Sequence, residues 1–269
     1  MTAARPARPT IRQLREVTQP PSIRGRRNAE HWTGDLYMRR ISPYLTRLLL
    51  RAGLSANAVT GLMIVTGAAS GFALLVPGLA GAVLAVALTQ LQMLWDASDG
   101  EVARWRGTSS PLGVFLDKVG HYLAESLIPL GLGVRAAGGI DDLAEGDTYG
   151  WTTLGGVLAV VIVLNKALND MVHVARADAG LARVSDDEAT TAPRAGGLAR
   201  LRRLARFVPF HRLYHSIELS LLVLVAAVVD AVAGSLVGTQ VLLIVLLPAA
   251  LLAVAGHFLA IVTSSRLRS

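Results

Sequence analysis

Apolar stretches separated by short polar segments fill the chain from residue 57 to near its C-terminal end. A transmembrane helix needs about 20 mostly apolar residues. Six stretches approach that length if polar faces are allowed, and they run over Asn57–Val76, Leu79–Arg104, Pro111–Val134, Trp151–Val174, Leu213–Val229 and Val241–Thr263. The pattern predicts an all-α polytopic membrane protein whose six transmembrane helices form one membrane domain over residues 55–265.

The residues before the first stretch follow an amphipathic pattern. Between residues 34 and 54 the apolar side chains share one helical face, and they are Leu36, Ile41, Leu45, Leu48 and Leu49. With arginines on the remaining surface, this pattern is typical of a helix in the headgroup plane of a bilayer. We predict an amphipathic interfacial helix over residues 34–54, with a soluble linker helix as the alternative. Residues 1–33 are rich in Arg and Pro, which predicts a disordered, basic cytoplasmic leader.

Composition and charge add an orientation. Apolar residues make up 52% of the 269 residues, and the chain has no cysteine, which excludes disulfides and thiolate metal sites. Eleven arginines precede the first span and eight more lie from Arg176 to Arg212, whereas the opposite loops are acidic or nearly neutral. The positive-inside rule therefore places both termini and a basic loop over residues 175–211 in the cytoplasm. The excess of Arg over Lys favours a bacterial source, and so a bacterial plasma membrane. We expect the bilayer as a partner and no nucleic acid.

A dense group of charged residues interrupts this apolar pattern in the stretch "DASDGEVARWRGTSSPLGVFLDKVGHYLAES". Residues three or four apart share a helical face. One such face ends the second predicted span and comprises Asp96, Asp99, Gly100, Ala103 and Arg104. Another begins the third span and comprises Gly113, Asp117, His121 and Glu125. The short turn between the spans makes them antiparallel neighbours, so the two faces are predicted to line one cavity on the cytoplasmic side.

The residue types at this predicted cavity indicate a metal and a phosphate. Carboxylates at membrane depth are costly unless they pair, hydrate or bind a cation. Hard oxygen ligands select Mg²⁺, Mn²⁺ or Ca²⁺, and such an ion can hold a phosphate-containing substrate. The small residues Gly100, Ala103 and Gly113 allow a ligand or a neighbouring helix to approach closely, and Arg104 can pair with phosphate. The alternative is a solvated helix end whose charges pair with one another.

The spacing of these residues resembles the signature of the CDP-alcohol phosphatidyltransferase family, D-x2-D-G-x2-A-R-x8-G-x3-D-x3-D. The chain matches the pattern at seven positions, which are Asp96, Asp99, Gly100, Ala103, Arg104, Gly113 and Asp117. The segment "LSANAVT" also resembles the family's L-[ST]-P-N-x-[VIL]-T sequence before the first span, with Ala56 in place of Pro. The resemblance covers the charged stretch and the beginning of the predicted membrane domain.

The resemblance implies an activity in phospholipid biosynthesis. An alcohol or alcohol phosphate would attack a CDP-linked donor, usually CDP-diacylglycerol, and CMP would leave. It implies that Asp96, Asp99 and Asp117 ligate one or two divalent ions, Mg²⁺ or Mn²⁺. It also implies a CDP pocket, with the residues Asn57, Thr60, Gly100, Ala103, Arg104 and Gly113. A homodimer is expected because dimers are common in the family.

The chain departs from the signature at its last position, where His121 replaces Asp. In the family this Asp is the presumed general base. A neutral imidazole close to divalent ions resists protonation, so we interpret His121 as the base that accepts the hydroxyl proton. Two alternatives stay open. His121 can be a metal ligand that shifts the preference from Mg²⁺ towards Mn²⁺ or a later transition metal. Alternatively, the enzyme is impaired or its base lies elsewhere, with Glu125, one turn on, as the substitute.

Further polar residues lie in and beside the fourth and fifth predicted spans. We predict an acceptor pocket there, and its candidate residues are Lys166, Asn169, Arg212 and Glu218. Hydrogen bonding between helices is the alternative interpretation. Two other classes of protein compete with the transferase. One is a catalytically impaired scaffold that binds a CDP-lipid, and the other is a divalent cation transporter, although a transport path needs polar groups beyond one end of the bundle. Attack by water in place of an alcohol is a further possibility.

Overall fold

The computed structural model describes residues 6, 9–21, 34–144, 149–182, 214–264 and 267, and all regular secondary structure among these residues is helical. The helices are α1 (Ile11–Thr18), α2 (Arg39–Arg51), α3 (Ala56–Ala73), α4 (Gly78–Arg106), α5 (Pro111–Ala136), α6 (Tyr149–Asp178), α7 (Ser216–Ala233) and α8 (Val237–Thr263). A π-helical turn, Gly34–Met38, leads into α2, and a 3₁₀ turn, Asp141–Ala144, follows α5. The all-α prediction is confirmed.

Five of the described helices, α3, α4, α6, α7 and α8, are long and apolar enough to cross a membrane by length and composition. Helix α5 corresponds to the predicted third span and has 26 residues, about 39 Å at 1.5 Å per residue. It carries Asp117, Lys118, Glu125 and Arg135, so its composition alone does not mark it as a span. The five candidate spans indicate a multi-pass membrane protein, and a sixth span through α5 stays a prediction.

The contacts divide the chain into two compact units, and the first comprises residues 1–70 and 87–124. Its apolar core joins α1, α2, α3 and α4 through buried side chains, which are Leu14, Leu49, Leu50, Val59, Val102 and Trp105. The buried face of α2 also includes Ser42 and Thr46. In contrast, Leu36, Ile41 and Leu48 of the predicted amphipathic stripe are exposed. The helix itself is thus found, and its position in the headgroup plane stays a prediction.

Helix α1 corrects the prediction of a disordered leader over residues 11–18. The N-cap Thr10 and Gln13 form a capping box, in which Gln13 N donates to Thr10 Oγ1 at 3.2 Å and Thr10 N donates to Gln13 Oε1 at 2.9 Å. The side chain of Leu14 is fully buried in the core of the first unit. Local composition missed the helix because tertiary burial stabilises it. The rest of the predicted leader, residues 1–5, 7–8 and 22–33, lies outside the described residues.

The second unit comprises residues 71–86 and 125–269. Helix α8 packs against α6 and α7. Helices α5 and α6 approach closely at Gly133 and Gly155, where a Cβ on Gly155 would lie 2.7 Å from the Gly133 Cα. The buried Arg135 donates to the Gly78 carbonyl at 2.7 Å and lies 3.7 Å from Asp230 Oδ2. Most of the predicted basic loop lies outside the described residues, although residues 175–178 belong to α6.

Candidate functional site

A cavity of about 520 Å³ opens in the first unit, between the C-terminal part of α4 and the beginning of α5. Its lining includes all the residues that the sequence predicts as metal ligands or CDP contacts. Helix α3 contributes Asn57 and Thr60, helix α4 contributes Asp96, Asp99, Gly100, Ala103 and Arg104, and helix α5 contributes Gly113, Asp117 and His121. The two helical faces therefore line one cavity, as the spacing predicted, with one correction: Glu125 does not belong to the lining, and its carboxylate contacts Lys166 and His215 instead.

Three of the predicted metal ligands form a compact group. Asp96, Asp117 and His121 each offer one ligand atom, and these atoms lie within 4.8 Å of one another. His121 Nε2 lies 3.2 Å from Asp96 Oδ1 and 3.5 Å from Asp117 Oδ1. All three side chains are partly exposed to the cavity. Two carboxylate oxygens and one imidazole nitrogen suit a divalent ion such as Mg²⁺, Mn²⁺ or Zn²⁺, so the donor set fits the metal that the sequence predicts.

Asp99 occupies a more buried position on the same cavity. Its side chain is 8% exposed, and Oδ2 accepts a hydrogen bond from Thr60 Oγ1 at 2.7 Å. The structure thus connects two residues to which the sequence assigned separate roles, a metal ligand and a CDP contact. Because Thr60 belongs to α3, this bond ties the motif helix α4 to the helix before it. Asp99 stands beside the three-residue group and is a candidate fourth ligand.

The turn between α4 and α5 positions the other wall of the cavity. Ser110 precedes Pro111 at the beginning of α5, and its Oγ accepts from Gly113 N at 3.1 Å, which caps the helix. A Cβ on Gly113 would lie 3.3 Å from Asn57 Oδ1. A Cβ on Gly100 would lie 3.0 Å from Arg104 Nη1. The two motif glycines therefore leave room for polar groups of neighbouring residues at the cavity.

Sequence reasoning missed Glu101 and Arg39. Glu101 lies inside the motif and is fully buried, and its carboxylate accepts hydrogen bonds from Gln19, Ser42 and Thr46. Arg39, at the beginning of α2, lines the cavity. Ser42 and Thr46 are polar residues that lie four positions apart on the buried face of α2. Polar side chains at such positions indicate a buried polar partner. No local pattern identifies that partner as Glu101.

The predicted acceptor residues lie in the second unit, apart from Arg212, which is outside the described residues. Lys166 Nζ lies 2.7 Å from Glu125 Oε1, and His215 Nδ1 lies 3.0 Å from the same oxygen. Asn169 is exposed, and Glu218 is buried in the first turn of α7. Glu125, the substitute base of the sequence analysis, is therefore held by two basic side chains. The acceptor pocket stays a prediction.

The apolar helices and the carboxylate-lined cavity define a multi-pass membrane protein with a site that can hold a metal ion. The family model described as CDP-alcohol phosphatidyltransferase matches residues 54–180, as the motif predicted. The matched segment includes α3 to α6, and therefore Asp96, Asp117 and His121. The family implies transfer of a phosphatidyl group from a CDP-alcohol and typically uses divalent metals. No curated protein sequence matches the chain.

Proposed function

We propose that the protein transfers a substituted phosphate group from a CDP-linked donor, CDP-diacylglycerol, to an alcohol in phospholipid biosynthesis. The observation that carries this proposal is the group of Asp96, Asp117 and His121 on the cavity within the family-matched segment. In the reaction, the acceptor oxygen forms a bond to the phosphorus that carries the diacylglycerol. The bond between that phosphorus and the oxygen of CMP breaks, and CMP leaves with the electron pair. The proton of the acceptor hydroxyl passes to a base or to solvent.

The metal would be held by Asp96, Asp117 and His121, with Asp99 beside them. When bound, a divalent ion neutralises the charge of the donor diphosphate and orients it. The chain's own residues shape the rest of the site. Arg104 supplies a cation for phosphate. Gly100 and Gly113 have no side chain, which leaves room for a nucleotide to approach the backbone of the cavity wall.

His121 is proposed as a metal ligand, because its Nε2 points at both carboxylates rather than away from them. A nitrogen ligand in place of oxygen raises the affinity for Mn²⁺ relative to Mg²⁺. The general-base role predicted from the sequence is the competing proposal. It requires Nε2 to accept a proton from the acceptor, so the ligand and base roles of that nitrogen exclude each other.

The lipid environment is part of the proposal. The predicted lipid-facing stripe is exposed at Leu36, in the π-helical turn before α2, and at Ile41 and Leu48 of α2, which supports a position at the membrane interface next to a lipid-linked donor. The distribution of Arg supports a cytoplasmic site in a bacterial plasma membrane. A sixth span through α5 and a homodimer stay predictions.

Product analysis tests the transferase. The full chain in lipid nanodiscs is supplied with CDP-diacylglycerol, Mn²⁺ and a panel of alcohols and alcohol phosphates, and new phospholipids are identified by mass spectrometry. A new lipid that appears with one acceptor establishes the reaction and names the alcohol. Phosphatidate without any acceptor product would mean hydrolysis by water. Donor binding without product would support the scaffold, and no donor binding together with Mn²⁺ uptake into sealed vesicles would support the transporter.

A further inference from the structure

The end of α1 contacts the motif helix, although α1 lies outside the family-matched segment. The backbone carbonyl of Thr18 accepts from Arg104 Nε at 2.7 Å. The next residue, Gln19, donates from Nε2 to Glu101 Oε1, also at 2.7 Å. Thr18 is fully buried and Gln19 is 4% exposed. These bonds are therefore shielded from water, where competition would weaken them.

The Glu101 carboxylate on α4 accepts hydrogen bonds from two other segments of the chain, the end of α1 and helix α2. Besides Gln19, Ser42 Oγ donates to Oε1 at 2.6 Å and Thr46 Oγ1 donates to Oε2 at 2.6 Å. A buried carboxylate is costly unless its oxygens are hydrogen-bonded. Glu101 thus fixes α2 and the end of α1 against α4, between the motif residues Gly100 and Ala103.

Gln19 also reaches the beginning of α2. Its Nε2 donates to the Arg39 carbonyl at 2.8 Å. The two protons of the Gln19 amide are therefore donated to the Arg39 carbonyl and to the Glu101 carboxylate. Two consecutive residues therefore fix two arginines. Thr18 orients the guanidinium of Arg104, and Gln19 anchors the backbone of Arg39. Both arginines line the cavity that holds the carboxylate group.

The charges at the cavity indicate which ligand this arrangement of arginines can bind. Asp96, Asp99 and Asp117 repel an anionic ligand, and a diphosphate bound beside them needs cations in addition to a metal. Guanidinium groups match phosphate oxygens in geometry and stay charged at all working pH values. Among the residues that line the described cavity, Arg39 and Arg104 are the side chains with a permanent positive charge.

We propose that α1 and Gln19 are part of the donor site, where they position Arg39 and Arg104 as paired cations for the diphosphate of the CDP-linked donor. Arg39 is then a second phosphate-binding residue, and Gln19 and Glu101 are positioning residues. This inference rests on the proposed function, because it takes the donor to be a nucleoside diphosphate derivative.

The test measures binding of CDP itself to the full chain in nanodiscs by isothermal titration calorimetry, with Mn²⁺ present. The variants are Arg39→Ala, Arg39→Lys and Gln19→Ala. The matched controls are Arg40→Ala, an exposed neighbour on α2, and Arg12→Ala, whose side chain on α1 is 88% exposed. We expect Arg39→Ala and Gln19→Ala to weaken CDP binding about tenfold, the loss typical of one charge-assisted hydrogen bond. Arg39→Lys retains part of the affinity, and the controls stay within about twofold of wild type.

Steady-state kinetics separate positioning from a merely structural role. In Gln19→Ala and Arg39→Ala the KM for CDP-diacylglycerol rises about as much as the Kd for CDP, while kcat changes less, since the lost contact is made before the transition state. Unfolding temperatures of all variants identify any that fail to fold. If Gln19→Ala does not fold, the CDP affinities of the Arg39 variants test the inference.

Wild-type affinity for CDP in Arg39→Ala would overturn the inference, as would equal losses in Arg39→Ala and Arg40→Ala. Failure of the transferase proposal looks different. If the wild type binds CDP but forms no lipid product with any alcohol, the transferase proposal is wrong. The CDP affinities of the variants still test whether the arginines bind the diphosphate. If the wild type binds no CDP, both proposals are wrong.

Discussion

Nε2 of His121 lies 3.2 Å from Oδ1 of Asp96, across the turn that joins α4 to α5. His121 is the residue at which the chain departs from the family signature, and Asp96 is the first residue of that signature. Asp117 lies one helical turn before His121 and completes the group. The substitution therefore keeps a ligand atom at the cavity and changes its element from oxygen to nitrogen.

His121→Asp restores the signature and should shift the metal preference. With an oxygen ligand at this position, the ratio of activity with Mg²⁺ to activity with Mn²⁺ should rise severalfold, while His121→Ala should lose activity with both ions. CMP release measured at saturating donor with each ion provides the ratio. The matched control is His257→Ala, since His257 pairs with Asn165 in the second unit. An unchanged ratio in His121→Asp, with activity lost in His121→Ala, would instead support the base role.

Thr60→Val should destabilise the first unit. The substitution keeps the shape of the side chain but removes the hydrogen bond to the buried Asp99, and a buried acceptor that loses a partner costs about 1–3 kcal/mol. Thermal unfolding in nanodiscs should show a lower transition temperature than in wild type. Thr66→Val is the control, because Thr66 bonds a carbonyl of its own helix. Equal transition temperatures for the two variants would contradict the importance of the Thr60–Asp99 bond.

Gly155→Ala tests the packing of α5 on α6. Its Cβ would lie 2.7 Å from both the Gly133 Cα and the Pro129 carbonyl oxygen, so the helices must separate, at a cost of about 1–3 kcal/mol for an overpacked contact. Gly156→Ala, one residue further, meets its nearest atom at 3.9 Å and should be neutral or slightly stabilising. Thermal unfolding of the pair gives the comparison. A Gly155→Ala protein as stable as Gly156→Ala would show that this close approach is not required.

The sequence predicted the helices and the motif cavity well because both depend on local spacing. Apolar stretches gave the helix boundaries of α3 to α8 to within a few residues. The three- and four-residue spacing of the motif placed Asp96, Asp117 and the other signature residues on one cavity. Asp99 shows the limit of this reasoning, since spacing alone does not reveal that Thr60 holds it on the buried side.

The contacts of α1 could not be predicted for a different reason. Gln19 and Glu101 are 82 residues apart, and Thr18 and Arg104 are 86 apart. No periodic pattern connects such residues, and a helix of eight residues in an Arg- and Pro-rich segment has too little apolar surface to be recognised by itself. Likewise, Lys166 bonds Glu125, 41 residues away on another helix. Tertiary contacts, rather than local propensity, decide all three cases.

The most direct test of the transferase is metal-dependent release of CMP from CDP-diacylglycerol by the purified full chain, with the acceptor that product analysis identifies. We predict release that requires both Mn²⁺ or Mg²⁺ and the acceptor, and that stops with EDTA. Asp96→Asn should lower the rate by more than about 100-fold, since even outer-shell partners of a bound metal are worth about 10- to 100-fold. Asp178→Asn, an exposed aspartate at the end of α6, should release CMP as wild type does. CMP release that is insensitive to EDTA and to Asp96→Asn would contradict the proposed site.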